Sequence, residues 1–338
     1  MKIRLRMTAV LLAVCLAMGG CGTKEDDPQE QTAVTINGEA ITLREWNFYL
    51  RMNQMQWEKS YLDSYGDEMW SREVGEDGRL LSDSLKEDVL EIIRQIHLAD
   101  QHAEEYGVAL DEEQQEELRA EASGFMEAYN EALLKYAGAD EAFVYSLLCD
   151  RELSSLVAEA AVEAYEPVID EEDVHREGIC YVLISTTGLR DNEGNMTPFS
   201  EEEVERRTQV AQELCIAARK SGDLKSAAEA EGLTPIESSM GNTNEGDGQE
   251  PRMLDAAREL QVGEISDPIQ TEEGWFLVQH TSAYDAEGTE YWRAYLTDQE
   301  KEAEYARILE EWETSADIIV DEDVIGQAEV KIVLKELL

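Results

Sequence analysis

The pattern of the chain changes near Pro167, and that switch does most to restrict its fold. From Thr42 to Tyr165 strand signals are few and apolar residues recur at helical spacing. Thr42-Leu43-Arg44-Glu45 has the form of a capping box, and Phe48, Tyr49, Met52 and Met55 then fall on one helical face. Ser82–Tyr106 repeats the pattern with Leu85, Val89, Ile92, Ile96 and Ala99, and Gly107 marks its end. Two further helices are expected over Asp111–Tyr136 and Glu141–Tyr165. Ahead of them, Ala33–Thr42 predicts two short strands about an Asn37-Gly38 turn.

Beyond Pro167 the run Glu177–Ser185 reads as a strand, Leu189–Pro198 as a polar loop, and Ser200 as the cap of a helix reaching Lys220. A short helical piece is expected over Gly222–Gly232. A glycine-rich stretch with one strand at most follows over Thr234–Pro251, then a short helix over Pro251–Leu260 and a terminal strand over Gly274–His280. Tyr291–Thr314 returns to the charged amphipathic helical pattern, followed by Ala316–Val320.

Charge sets limits on function. With 28 Lys+Arg against 76 Asp+Glu, the net charge of −48 repels nucleic-acid phosphates, so no nucleic-acid partner is expected. A hydrophobic content of 43% suffices for packed cores. Five cysteines without a Cys-x-x-Cys pair offer neither a disulfide scaffold nor a zinc ribbon. Cys149, Cys180 and Cys215 read as free thiols, the last two buried in a strand and a helix. His97 and His102 sit five apart, on different helical faces, and do not make a metal pair. Asn242, Asn244 and Asp247 lack the ligand spacing of a calcium loop. No metal and no cofactor is expected.

The first residues read as an address. Lys2, Arg4 and Arg6 precede an uncharged, mostly apolar run from Met7 to Met18, too short for a permanent span. The run closes on Leu16-Ala17-Met18-Gly19-Gly20-Cys21, which resembles a bacterial lipobox with Cys21 as the lipidated residue. On this reading 1–21 is a lipoprotein signal peptide and 22–32 a flexible linker. The protein is then lipid-anchored on the extracytoplasmic face of the cell membrane.

Four stretches carry a wider resemblance. They are Val34-Thr35-Ile36-Asn37-Gly38-Glu39-Ala40-Ile41-Thr42, Gly222-Asp223-Leu224-Lys225-Ser226-Ala227-Ala228, Pro251-Arg252-Met253-Leu254-Asp255-Ala256-Ala257, and Val262-Gly263-Glu264-Ile265-Ser266-Asp267-Pro268-Ile269 with Glu273-Gly274-Trp275. Together they resemble the parvulin-type (PpiC-like) peptidyl-prolyl isomerase lipoproteins of the PrsA/SurA foldase family. The resemblance implies an α+β chain. A discontinuous, mostly helical chaperone domain (33–166 with 290–338) would carry an inserted parvulin-like α/β domain (175–285).

The resemblance also implies a site, and here the chain departs from the pattern. Tyr181 and Phe276 stand where the family carries histidines, and Ser239 where it carries an acidic residue or Cys. Gln249 and Met253 stand where it lines the prolyl pocket. Isomerisation lowers a barrier of about 18–20 kcal/mol by twisting an amide out of conjugation, which hydrogen-bonding side chains can assist. Tyr181 keeps a hydroxyl; Phe276 cannot hydrogen-bond. Both read more readily as core aromatics, and catalysis is expected to be weak or absent.

The function implied is that of a membrane-anchored foldase acting on unfolded or partly folded secreted proteins. The alternative is a non-catalytic holdase, for which Met52, Met55, Trp57, Met69 and Trp70 would suit an adaptable apolar surface, unless they are simply helix core.

Overall fold

The computed structural model describes residues 27–75, 78–190, 196–243, 248–331 and 334. The expected leader, the lipidation position Cys21, and Asn244 and Asp247 lie outside them. The chain runs β1 (Thr32–Ile36), β2 (Glu39–Thr42), α1 (Leu43–Tyr65), β3 (Glu73–Val74), β4 (Arg79–Leu80), α2 (Leu81–Tyr106), α3 (Glu112–Ala128), α4 (Glu131–Ala137) and α5 (Glu141–Ala161). It continues through α6 (Glu171–Val174), β5 (Glu177–Ser185), β6 (Gly188–Arg190), β7 (Met196–Pro198), α7 (Glu201–Ser221), α8 (Leu224–Ala230), β8 (Ile236–Met240), α9 (Pro251–Glu259), β9 (Ile269–Gln270) and β10 (Gly274–Ser282). It ends with α10 (Ala286–Ser315), β11 (Ile318–Val320) and α11 (Glu322–Ile325). This is a mixed helix-and-sheet chain, and it forms two compact units. One takes the described residues of Met1–Glu159 and Leu309–Leu338, the other Ala160–Ile308.

The first unit joins an early and a late segment of the chain in one small sheet of order β11-β1-β2, with β1 antiparallel to both neighbours. Asn37 (φ +52°) and Gly38 (φ +86°) form the two-residue turn between β1 and β2, where positive φ at both positions matches the strand twist. The Asn37 side chain accepts from Asp317 N at 2.9 Å, tying the turn to the returning segment. The expected capping box is half made. Thr42 accepts from Glu45 N, but the Glu45 carboxylate goes to His97 Nε2 at 2.7 Å instead of back to the cap. In α2 the buried stripe is Leu85, Val89, Ile93 and Ile96, so Ile93 and not Ile92 is the core residue. The helix expected over Asp111–Tyr136 is two helices. Tyr129 is extended and Asn130 caps α4 through Leu133 N, because a local side-chain acceptor competes with the helical ladder. In the stretch read as linker, Pro28–Glu30 is a 3₁₀ turn and Thr32 begins β1.

A buried polar stripe runs along α1. Arg51 donates from Nε to Asn47 Oδ1 (3.1 Å) and from Nη1 to Gln54 Oε1 (2.8 Å). Gln54 Nε2 donates to Glu58 Oε1 (2.8 Å), which also accepts from Trp70 Nε1 (3.0 Å). Glu58 Oε2 takes the Leu334 amide (2.7 Å) and Arg51 Nη2 the Glu329 carbonyl (3.0 Å). Each charge is thus buried with partners, as burial requires. Met69 and Trp70 are core residues of this unit, while Met52 and Met55 line a groove of about 470 Å³ with Leu62 and Tyr129.

In the second unit the sheet order is β8-β5-β10-β9, all antiparallel. Alternate residues of the central pair β5 and β10 feed two cores. Val182, Ile184 and Leu277 pack with Leu214, Ala218 and Leu224 of α7 and α8. Ile179, Phe276 and Val278 pack with Met253, Leu254 and Ala257 of α9. Gly274 (φ +145°) starts β10 so close to β5 that a Cβ would overlap the Ile184 carbonyl. Buried Gln279 ties the α7–α8 turn to β10, accepting from Leu224 N (2.9 Å) and donating to Gly222 O (2.9 Å) and Gly263 O (3.2 Å). Within Leu189–Pro198, expected as a polar loop, β6 and β7 pair. Helix α10 begins at Ala286, five residues before the sequence pattern suggested. Cys180 and Cys215 are buried free thiols, and burial pushes Cys180 up to about 11.

Two expectations follow for stability. Burial first, then the Asp150 charge, pushes the Asp100 carboxyl from 3.8 to about 8, and its Oδ1 is buried without a hydrogen-bond partner. Asp150 is raised to about 6 by burial and then by Glu45. His97 is lowered by burial but raised overall by Glu45 and Glu39. All three folded values lie above their unfolded ones. Their stabilisation is therefore complete below about pH 4 and is lost as pH rises through about 8. Thermal unfolding should show the first unit weakening from pH 5.5 to 8.5, and Asp100→Asn should remove about 1–2 kcal/mol of that loss after solvent screening. Met253 is fully buried, so Met253→Ala should destabilise the second unit by about 2–4 kcal/mol in urea titration.

Candidate functional site

The strand alternation of β5 and its neighbours decides which side chains can meet. Tyr181 lies opposite Ile236 on one side and Val278 on the other, and Leu183 opposite Phe276. These residues share the α9 face of the sheet. Toward the start of α9 the face opens into a cleft of about 420 Å³. Its walls are Tyr181, Leu183, Ile236, Gln249, Pro251 and Phe276, with Glu250 and Glu273 among its polar lining residues. The Tyr181 and Phe276 rings lie 6.2 Å apart, inclined by 42°. Phe276 is 5% exposed and belongs to both the core and the cleft. Tyr181 is half-buried, and burial raises its hydroxyl pKa, so the phenol keeps its proton and can donate at neutral pH.

The local sequence explains the mouth. Pro251 occupies the first turn of α9, where a missing N–H costs nothing, and the Glu250 side chain caps the helix by accepting from Arg252 N at 3.3 Å. Gln249, the residue before Glu250, donates from Nε2 to Ser238 Oγ at 2.9 Å. Its Oε1 is buried and takes no hydrogen bond.

Of the five positions singled out in the sequence, the fold brings Tyr181, Phe276 and Gln249 together. Met253 is not a cleft wall. It lies in the first turn of α9, fully buried in the core that includes Phe276. Ser239 is on the other face of β8, where its Oγ abuts Gly288 at the start of α10. Its neighbour Ser238 faces the cleft side and holds Gln249. A shift of one residue along a strand exchanges faces. The alternation Ile236, Ser238, Met240 against Glu237, Ser239 is the signal in the sequence that distinguishes them.

Sequence reasoning also passed over His280. It shares the sheet face of Tyr181 and Phe276, but its ring is fully engaged. Nδ1 lies 3.0 Å from Leu260 O, and Nε2 3.1 Å from both Ser282 O and Glu177 Oε2. It anchors the end of β10 and leaves no nitrogen for a substrate. His97 pairs with Glu45, and His102 stacks on Trp312 at 4.1 Å. Among the described residues no group of three or more His, Cys, Asp or Glu could hold a metal ion.

The arrangement suits non-covalent chemistry. An apolar floor of Leu183, Ile236, Pro251 and Phe276 can hold a pyrrolidine-sized ring. The Tyr181 hydroxyl supplies one donor beside it, and two carboxylates discourage acidic ligands. Nothing here forms a nucleophile with an adjacent base.

Comparison with known proteins places these features. The PPIC-type PPIase (rotamase) domain matches residues 191–282. No curated protein matches the chain. Among solved structures, the foldase protein PrsA from Lactococcus lactis is 11% identical, with 89% of this chain and 100% of that one covered and a TM-score of 0.39. PrsA from Streptococcus pneumoniae is 14% identical over 77% and 99%, with a TM-score of 0.34. A SurA-like chaperone from Campylobacter jejuni is 9% identical over 86% and 98%, with a TM-score of 0.29. Similarities of this degree assign no activity. The domain match leads to one statement of kinship: within the second unit, residues 191–282, which hold β7 to β10 and the cleft residues Ile236, Gln249, Pro251 and Phe276, match the PPIC-type PPIase (rotamase) domain.

Proposed function

We propose that this protein is an extracytoplasmic foldase that binds Xaa-Pro segments of unfolded secreted proteins and speeds their isomerisation modestly. Cys21 would carry the lipid that holds it to the membrane. The observation that carries the reading is the cleft floored by Phe276 and walled by Tyr181, whose lining residues Ile236, Gln249, Pro251 and Phe276 fall in the stretch that matches the PPIC-type PPIase domain. Phe276 and its apolar neighbours take the proline ring. Tyr181 donates to the carbonyl as the C–N bond twists, and Gln249 bounds the site. One neutral donor is a small preorganised field, which is why turnover should be slow. With 76 acidic residues against 28 basic ones, clients of neutral or positive charge are favoured.

The groove lined by Met52, Met55, Leu62 and Tyr129 in the first unit supports a second reading as a holdase. Flexible thioethers suit varied apolar side chains. On that reading the rotamase cleft grips proline without catalysing its isomerisation.

A protease-coupled assay on Xaa-Pro peptides separates the two. The foldase reading expects a measurable acceleration that falls about 2–10-fold in Tyr181→Phe, the equivalent of one hydrogen bond, and is unchanged in Ser239→Ala. No acceleration on any peptide, with aggregation of an unfolded client still suppressed, would establish the holdase instead.

A further inference from the structure

The first unit holds a second cleft, of about 560 Å³, whose chemistry differs from that of the rest of the chain. It is lined by Asn47 and Arg51 of α1, Lys135 and Tyr136 of α4, Gln29 of the opening 3₁₀ turn, and Glu329 near the end of the chain. Its volume falls in the roughly 300–1,000 Å³ range of small-ligand sites.

Three observations point to a ligand. First, Arg51 is 2% exposed, and its guanidinium, 4.4 Å over the Tyr136 ring, uses three of its five N–H groups on Asn47, Gln54 and Glu329 O. Burial depresses its pKa even beside Glu58, whose carboxylate is already engaged by Gln54, Trp70 and the Leu334 amide. Second, Lys135 lines the same cleft and has no ion-pair partner among the described residues, while the nearby Glu329 carboxylate pairs with Lys331 at 2.6 Å. Third, Gln29 Oε1 is buried and accepts no hydrogen bond. In a chain where acids outnumber bases by 76 to 28, two cations share a cleft whose one carboxylate is paired elsewhere, next to an unused acceptor.

We infer that this cleft binds the free C-terminal end of a peptide, its α-carboxylate held by Lys135 and Arg51 and an amide N–H donating to Gln29 Oε1. A sulfate satisfies the cations but brings only acceptors to Gln29; a chain end brings a carboxylate and an N–H donor together, spaced along one backbone. The inference stands apart from the rotamase cleft and does not depend on the foldase reading. It gives the protein a means of engaging the last residue of a chain in addition to an internal proline.

The test is isothermal titration of the full chain with acetyl-Ala-Ala-Ala carrying a free carboxylate, with its C-terminal amide, and with acetate. The free acid should bind at least tenfold more tightly than the amide or acetate. Lys135→Glu, an exposed change that leaves the Arg51 hydrogen bonds intact, should abolish the preference, and Gln29→Leu should weaken binding of the acid severalfold. Equal binding of acid and amide, or no binding of either, would overturn the site. Acetate binding as tightly as the peptide would overturn its assignment to a chain end. Circular dichroism of both variants confirms that any loss reflects the cleft and not the fold.

Discussion

The antiparallel pairing of β5 with β10 is the constraint on which the rest of the second unit depends. Nine-residue strands in fixed register give two faces, and each face finds its own helices: α7 and α8 on one, α9 on the other. Because successive side chains alternate, the register alone sends Tyr181, Leu183 and Phe276 to one side and Val182, Ile184 and Leu277 to the other. The cleft is where the α9 face runs past the start of that helix. Gly274 permits the close entry of β10, and Gln279 and His280 hold its far end by hydrogen bonds to backbone carbonyls of neighbouring loops. The site is therefore a by-product of core packing, with Phe276 serving both.

The first unit is governed differently. A strand from the end of the chain pairs with the first strand of the described chain, and a buried polar stripe on α1 accepts and donates to the backbone of the C-terminal segment. Such a stripe adds little net stability over an apolar one, but it fixes which segment closes the unit. It also leaves a guanidinium with spare donors at the edge of a cleft, a feature an all-apolar seam would lack.

Much of this could be read from the residues. The Asn37-Gly38 turn, the Gly107 helix end, the two strands of the central pair and the α9 start at Pro251 all follow from local chemistry that tertiary contacts did not override. The failures have physical causes. Asn130 looked like one more residue of a long helix, but its side chain caps a new one. Ile92 and Ile93 are adjacent, and only the packing of α2 decides between them. Ser239 matches the family position by resemblance alone, and the alternation of β8 turns it away from the cleft while Ser238 faces it. A flexible apolar residue such as Met253 suits a pocket and a core equally, and the packing of α9 puts it in the core. His280 carries no family signal, and only the structure reveals that both its nitrogens are engaged.

Proline recognition at the Tyr181–Phe276 cleft is the central claim, and amide chemical-shift mapping by NMR tests it most directly. On titration with a short Xaa-Pro peptide, the account predicts shifts clustered at Tyr181, Ile236, Gln249 and Phe276, absent with the matching Xaa-Ala peptide. Shifts that fall elsewhere on the sheet, or that are the same for both peptides, would contradict it.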